Sequence, residues 1–366
     1  LSRVLAEWLA TDRVVLAEAG GPRLTGHQLQ ARVERMAAAL AARGLAPETP
    51  VLLLMDRGID QITATLAIWR AGLCQMPVDP AQPDARLAAM IAGGAPGLAI
   101  GDAGGLARLA ALAPDLPRCR TADLDAEPRP LKAVHGDQLA WMIFTSGSTG
   151  TPKATLVTHG GALNTGFAQA RMLGLGTADR VAQLASPGFD AALSELLMAL
   201  IAGAELMPVP AAVARDPLAL GDFLAAERVT VATLTPSMLA AIGRDLPDLA
   251  VLLVAGEACP PALVQRFAPG RRMVNAYGPT ECAVCATMAV GLDAEAGPPP
   301  IGTAIDGAEL LILDRRGRPV PDGVAGELCI GGAGVGRGYA GRPDLTAERF
   351  VPHPAEDRRG ARLYSS

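Results

Sequence analysis

This 366-residue chain predicts an α/β fold: mainly parallel β-sheets covered by helices, with a smaller β-rich lobe towards its C-terminal end. Three observations carry the prediction. Apolar runs of strand length alternate with stretches of helical period through roughly the first 285 residues. Beyond that point short β-like runs separated by Gly and Pro turns take over. Finally, one apolar run leads directly into a loop dense in glycine and hydroxyl groups, and α/β proteins place nucleotides where a strand ends in such a loop.

The elements follow in order. Residues 28–43 are alanine-rich with helical period, 51–55 form a short buried strand, and 62–70 are helical again. The alternation continues through 97–100, 139–143, 181–185, 196–202, 229–234 and 251–254, while 106–114 read as an alanine-rich surface helix. Residues 309–313 and 326–330 have the β-like pattern, and the Pro- and Gly-rich stretch 296–300 marks a junction. Two units are therefore expected, an α/β core over residues 1–285 and a β-rich lobe over 286–366, with no internal repeat.

Bulk properties exclude several function classes. The net charge is −5, no basic run is present, and aromatics are few (three Trp, three Tyr, six Phe), so there is no footprint for nucleic acid. No apolar run approaches the roughly 18 to 20 residues that cross a bilayer, and no basic start leads into a secretory segment, so a soluble, cytoplasmic protein without a membrane partner is expected. Leu1 in place of methionine reads as a piece of a longer chain. Of the six cysteines only Cys282 and Cys285 have metal-like or redox-like spacing. A structural zinc site needs four ligands, and no second Cys-x-x-Cys or paired histidine pattern supplies them. Buried reduced thiols are expected.

The chemistry-bearing loop reads Phe144-Thr145-Ser146-Gly147-Ser148-Thr149-Gly150-Thr151-Pro152-Lys153. Glycines let the backbone approach a ligand and turn N–H groups inward, hydroxyls add uncharged donors, and the lysine neutralises an anion. The P-loop of kinases and ATPases needs Gly-Lys-Ser/Thr, whereas Lys153 follows Pro152 and precedes Ala154, so the hydroxyl that would hold magnesium is missing. An ordinary polar turn is the competing reading, but turn chemistry alone does not ask for so many hydroxyls and a terminal lysine.

Taken whole, the loop resembles the phosphate-binding signature of the adenylate-forming superfamily, which includes acyl-CoA and aryl-acid ligases, luciferases and the amino-acid adenylation domains of nonribosomal peptide synthetases. Trp69-Arg70-Ala71-Gly72-Leu73-Cys74-Gln75-Met76-Pro77-Val78-Asp79-Pro80 resembles an upstream motif of the family. Asn275-Ala276-Tyr277-Gly278-Pro279-Thr280-Glu281 resembles its adenine-site motif, and Gly326-Glu327-Leu328-Cys329-Ile330-Gly331-Gly332 through Arg337-Gly338-Tyr339 the next one. The motifs keep the family's order across the chain. The resemblance implies two helix-covered, mainly parallel sheets packed together plus a distorted-barrel lobe.

The implied reaction is attack of a substrate carboxylate on the α-phosphorus of ATP, giving a carboxyl–AMP anhydride and pyrophosphate. Carboxylate and triphosphate repel each other, so the protein must hold the triphosphate still and neutralise charge on the leaving group. By resemblance Thr145 through Gly150 and Lys153 bind the β- and γ-phosphates. Thr280 and Glu281 attend the α-phosphate and Mg²⁺, with Glu281 as metal ligand; Lys153, Thr280 and Glu281 form the catalytic set. Tyr277 offers a ring face and Asn275 an amide to adenine, beside Ala276 and Gly278. A turn around Gly278-Pro279 with a surface acid is the plainer alternative.

Asp190, in Phe189-Asp190-Ala191-Ala192-Leu193-Ser194-Glu195, resembles the acid that pairs with a substrate's α-ammonium; capping a helix that starts at Ala191 is its competing role. The family's pocket positions fall on Asp190, Ala191, Ser194, Thr233, Leu253, Ala255, Ala276, Val284 and Cys285. Most are small, which leaves room for a large apolar ring, and the set resembles those of tyrosine-activating domains, with phenylalanine and β-hydroxytyrosine close behind. The implied partners are an amino acid, a peptidyl carrier protein bearing phosphopantetheine, and a small MbtH-like helper. An acyl- or aryl-CoA ligase and a non-catalytic relic are the rival readings. In the family a Thr-Gly-Asp and a mobile subdomain with a catalytic lysine follow Arg362-Leu363-Tyr364, whereas here the chain reads Ser365-Ser366. Without that lysine the rate is expected to fall on the order of a hundredfold.

Overall fold

Strands that are apolar at every position must be covered on both faces. In Pro50–Leu54, Val51 and Leu53 face one buried cluster, and Leu52 and Leu54 face another. The computed structural model describes residues 2–145, 152–293, 295 and 297–366. Among these the strands form sheets of nine, seven and four.

In the seven-stranded sheet the parallel centre pairs Cys74–Val78 with Pro50–Leu54 on one side and Leu139–Thr145 on the other. Lys153–Thr158 then returns antiparallel beside Leu139–Thr145, and the short Gly338–Tyr339 closes that edge. The nine-stranded sheet is parallel through Arg180–Gln183, Val231–Leu234, Val251–Val254 and Arg272–Tyr277. Its last two strands, Thr287–Val290 and Thr303–Ala304, run antiparallel.

Helices Gly26–Ala41, Ile59–Arg70, His159–Met172 and Ala191–Ala202 share one apolar cluster with inward residues of both large sheets, so they form the layer between them. A second cluster packs Leu220, Leu224, Leu239 and Phe267 on the far face of the nine-stranded sheet, and a third sets Leu87, Met90 and Leu109 on the far face of the other. The result is two helix-covered sheets packed together, as the family resemblance implies. No helix among the described residues is long and apolar enough to cross a membrane.

Two local features depart from the sequence reading. The helix expected over 28–43 begins at Gly26, because Thr25 and Gln28 form a reciprocal capping box. The strands at 287–290 and 303–304 belong to the nine-stranded sheet, and the small sheet starts only at Ala308–Leu313. Backbone pairing with Arg272–Tyr277 carries the large sheet past residue 286, where composition had suggested a boundary.

Arg57, in the turn after Pro50–Leu54, ties the two large sheets together. It donates from Nε to the Val209 carbonyl at 3.0 Å, and from one terminal nitrogen to the carbonyls of Leu184 at 3.1 Å and Ala185 at 3.3 Å. Arg57→Met removes all three bonds and is expected to lower stability by about 1 to 3 kcal/mol. The midpoint of urea unfolding measures this, and an unchanged midpoint would contradict a stabilising role for the bridge.

Candidate active site

Leu139–Thr145 and Lys153–Thr158 pair antiparallel up to Thr145 opposite Lys153, so these two residues stand at the mouth of the loop. Ser146, Gly147, Ser148, Thr149 and Gly150 lie outside the described residues. The hydroxyl of Thr145 is buried with no hydrogen-bond partner among those described.

The turn after Arg272–Tyr277 presses back on the chain that follows it. A Cβ on Gly278 would lie 2.6 Å from the Cys285 Cα and from the Val284 carbonyl oxygen, so only glycine fits. The fold-back also puts Ala283 at φ 54° and Val284 at φ 78°. Positive φ at a β-branched residue is strained by about 1 to 3 kcal/mol. Thr280–Cys282 forms a 3₁₀ turn here, and it brings Glu281, 4 % exposed, to Lys153. The Lys153 ammonium sits 2.8 Å from Glu281 Oε1 and donates to the Tyr339 hydroxyl at 2.8 Å, while that hydroxyl donates to Glu281 Oε1 at 2.7 Å. Burial and the carboxylate push the Tyr339 phenol well above its ordinary value, so it stays a donor.

Asp190 precedes helix Ala191–Ala202, but its side chain makes no capping hydrogen bond to that helix. It is 8 % exposed, and its Oδ2 has no hydrogen-bond partner among the described residues. Burial raises its carboxyl to about 6 against the pull of the Thr280 hydroxyl, and Glu281 nearby adds to the rise. Asp190, Thr280 and Glu281 thus form one acidic corner, although 90 residues separate the first two in sequence.

The expected pocket positions distribute as follows. Thr233 and Leu253 pair across adjacent parallel strands, and Leu253, Ala276 and Cys285 share the central apolar cluster, with Ala255 and Val284 packed against it. Ala191 opens the helix that carries Ser194. Ser194 does not offer a free hydroxyl: it donates to Gln169 Oε1 at 2.5 Å, and Gln169 also reaches the Cys285 thiol. Sequence reasoning missed Gln169. Its signal was two polar residues, Thr165 and Gln169, four apart on the buried face of one helix. Asn275 and Tyr277 alternate with Ala276 along their strand and so point to the other face. There the Asn275 side-chain amide already donates to the Pro300 carbonyl at 2.8 Å, and the Tyr277 hydroxyl meets the Ser366 hydroxyl. All six cysteines are buried free thiols, and burial pushes Cys285 up to about 12.

A strand running into a glycine- and hydroxyl-rich loop, a lysine and a glutamate meeting at that loop, and a buried acid behind them match one known family over most of the chain: AMP-binding enzyme, residues 6–340. The chain belongs to that family. Its two large, mainly parallel sheets and small antiparallel sheet match the architecture of an adenylate-forming N-terminal subdomain. It is similar to the Klebsiella oxytoca NpsA N-terminal subdomain in complex with 3-hydroxybenzoyl-AMSN, with a TM-score of 0.88 and 26 % identity, covering 100 % of this chain and 95 % of that one. The AMPPNP-bound form of the nonribosomal peptide synthetase FmoA3 gives a TM-score of 0.87 at 28 % identity, over 99 % of this chain and 40 % of that one. Among curated proteins it is 42 % identical to chondramide synthase cmdD of Chondromyces crocatus, over 93 % of this chain and 9 % of that protein. Novobiocin biosynthesis protein H of Streptomyces niveus is also 42 % identical, over 94 % of this chain and 59 % of that protein. The chain therefore spans only a part of these curated relatives.

Glu195, fully buried one turn into the helix after Asp190, accepts the backbone N–H of Leu184 at 3.1 Å and of Ala185 at 3.2 Å and so anchors the loop that leads to Asp190. Burial raises its carboxyl from 4.5 to about 8, so the folded chain holds a proton that the unfolded chain releases. Its contribution to stability is fully present below about pH 4.5 and is lost as pH rises through 8. Glu195→Gln is expected to flatten the fall in melting temperature between those values, and an unchanged slope in thermal unfolding against pH would refute the assignment.

Proposed function

We propose that this chain activates an amino acid: its carboxylate attacks the α-phosphorus of ATP, yielding aminoacyl-AMP and pyrophosphate. The observation that carries the reading is Asp190, a buried carboxylate with an unpartnered Oδ2 beside Thr280 and Glu281. An isolated buried carboxylate is costly until a cation pairs with it, and an α-ammonium supplies that cation. An aryl or acyl acid brings no ammonium, which disfavours the CoA-ligase alternative.

In this reading Lys153 and the loop from Thr145 to Gly150 hold the β- and γ-phosphates, while Thr280 directs its hydroxyl to the α-phosphate. Glu281 suits Mg²⁺: its Oε1 takes both contacts from Lys153 and Tyr339, and none of the described residues bonds Oε2. One carboxylate oxygen plus phosphate oxygens is the set this ion accepts. When bound, Mg²⁺ neutralises phosphate charge. Tyr277 and Asn275 attend adenine from the opposite face of their strand. Asp190 fixes the amine, so that the substrate carboxylate points towards the phosphates.

The small residues Ala191, Ala255, Ala276, Val284 and Cys285, with Thr233, Leu253 and the Ser194–Gln169 pair, favour tyrosine or a related aromatic amino acid. The product would pass to a phosphopantetheine thiol of a carrier protein in nonribosomal peptide or related antibiotic synthesis, in the cytoplasm where ATP is supplied. A lysine-bearing C-terminal subdomain would complete the site, and an MbtH-like protein is a compatible helper. Residues 1–285 would bind both substrates, with 286–366 as the accessory lobe.

Amino-acid-dependent ATP–pyrophosphate exchange by the full-length protein, run over a substrate panel, tests the reading. Tyrosine or a close relative is expected to give the strongest exchange; exchange independent of any amino acid would overturn the proposal. Asp190→Ala is expected to lower amino-acid-dependent exchange at least about a hundredfold while ATP still binds, and simultaneous loss of ATP binding would contradict its role.

A further inference from the structure

We infer that Tyr339 is a positioning residue for nucleotide binding: its hydroxyl holds Lys153 and Glu281 as a preassembled pair, with cation and carboxylate set for phosphate and metal before either arrives. The inference rests on the ATP and Mg²⁺ reading above.

Three separate pieces of chain meet at this hydroxyl. Lys153 opens the strand next to the edge of the seven-stranded sheet, Glu281 sits in the turn after a strand of the nine-stranded sheet, and Tyr339 lies on the two-residue edge strand paired with Lys153–Thr158. Their polar atoms form a nearly equilateral triangle, with 2.8 Å from lysine to carboxylate, 2.8 Å from lysine to phenol and 2.7 Å from phenol to carboxylate. Donor and acceptor roles order these three polar atoms, and the Tyr364 hydroxyl stands beside the same phenol. An ammonium only donates, so it gives one hydrogen to the phenol oxygen and one to Oε1, and the phenol gives its own hydrogen to the same Oε1. Among the described residues one ammonium hydrogen and the carboxylate Oε2 are left over, and these are the two groups the nucleotide reading needs.

The ring is held independently of the hydroxyl. Tyr339 is 4 % exposed and packs edge-on against Phe350 at 5.4 Å, its N–H donates to the Thr346 hydroxyl at 3.0 Å, and the Lys153 ammonium lies 4.5 Å from its ring centre. Phenylalanine would fill this packing equally well. What the phenol adds is a partner for Glu281 that does not leave. When Lys153 turns to a phosphate, buried Glu281 loses its cation, and the Tyr339 hydrogen bond keeps the carboxylate oriented and satisfied. Gly336 makes the approach possible: its N–H donates to the Glu281 carbonyl at 2.7 Å, and a Cβ there would lie 2.8 Å from the Leu156 carbonyl oxygen.

Tyr339→Phe and Phe350→Leu in the full-length protein, together with Glu281→Gln and the Tyr339→Phe/Glu281→Gln double variant, test this by calorimetric titration with ATP in excess Mg²⁺ and with ATP in EDTA. Tyr339→Phe is expected to bind ATP with Mg²⁺ about tenfold more weakly, to lose less affinity in EDTA, and to melt close to the wild type. The double variant is expected to bind no more weakly than Glu281→Gln alone, because the hydroxyl acts through that carboxylate. Phe350→Leu, which loosens the ring and spares the hydroxyl, should lower the melting temperature and leave affinity unchanged. Unaltered affinity in Tyr339→Phe, additive losses in the double variant, an equal loss in Phe350→Leu, or a Tyr339→Phe chain that does not fold would each overturn the inference. If the wild type binds no ATP, it is the nucleotide reading that fails.

Discussion

The contact between Lys153 and Glu281 is the constraint on which the site depends, because each residue is presented by a different sheet. Lys153 stands at the start of strand Lys153–Thr158 in one sheet, and Glu281 in a tight turn leaving the other. The charges meet at 2.8 Å only if the helical layer between the sheets has the right thickness and the strands the right register. Glu281 is 4 % exposed, so a misplaced lysine would leave its charge buried and unpaired. The pair reports on the assembly of the whole core while gathering a cation and a carboxylate at the mouth of the loop.

Around that contact the chain accepts several local penalties. Val284 is held at positive φ, Asp190 keeps an unpartnered oxygen under cover, and Glu195 is buried without a direct ion pair. Each opposes stability, and they fall on the segment around Asp190 and on the turn that follows Gly278. Strain and buried charge persist only where surrounding structure over-determines them. Here the surroundings are the large cluster between the sheets, the Arg57 bridge and the backbone bonds to Glu195. Stability generated in the helical layer offsets the cost of that strain and of the buried acids.

The strand and helix pattern was legible because its cause is local: residues 251–254 read as a strand and are one, and the surface helix near 106 lies at Ala103–Leu112. Motifs in order also pointed to the family that the chain belongs to. Side-chain partnerships were not legible. Asn275 looked free to meet a base, yet its amide engages Pro300 on the next connection. Ser194 looked free to meet a substrate, yet it bonds Gln169 of helix His159–Met172. The change of character near residue 286 is real in composition, but hydrogen bonding to Arg272–Tyr277 extends the large sheet beyond it.

By itself, then, the sequence determined the alternation of strands and helices, the loop dense in glycine and hydroxyl groups and the candidate acids, because periodicity, turn chemistry and motif spacing act over a few residues. The tertiary structure alone decided which of those groups meet. Tyr339 joins Lys153 and Glu281 across separations of 186 and 58 residues, and Asp190 reaches Thr280 through the packing of a helix on a strand. Such meetings are set by how two sheets and an intervening helical layer pack, a property of burial summed over the core and encoded in no single segment.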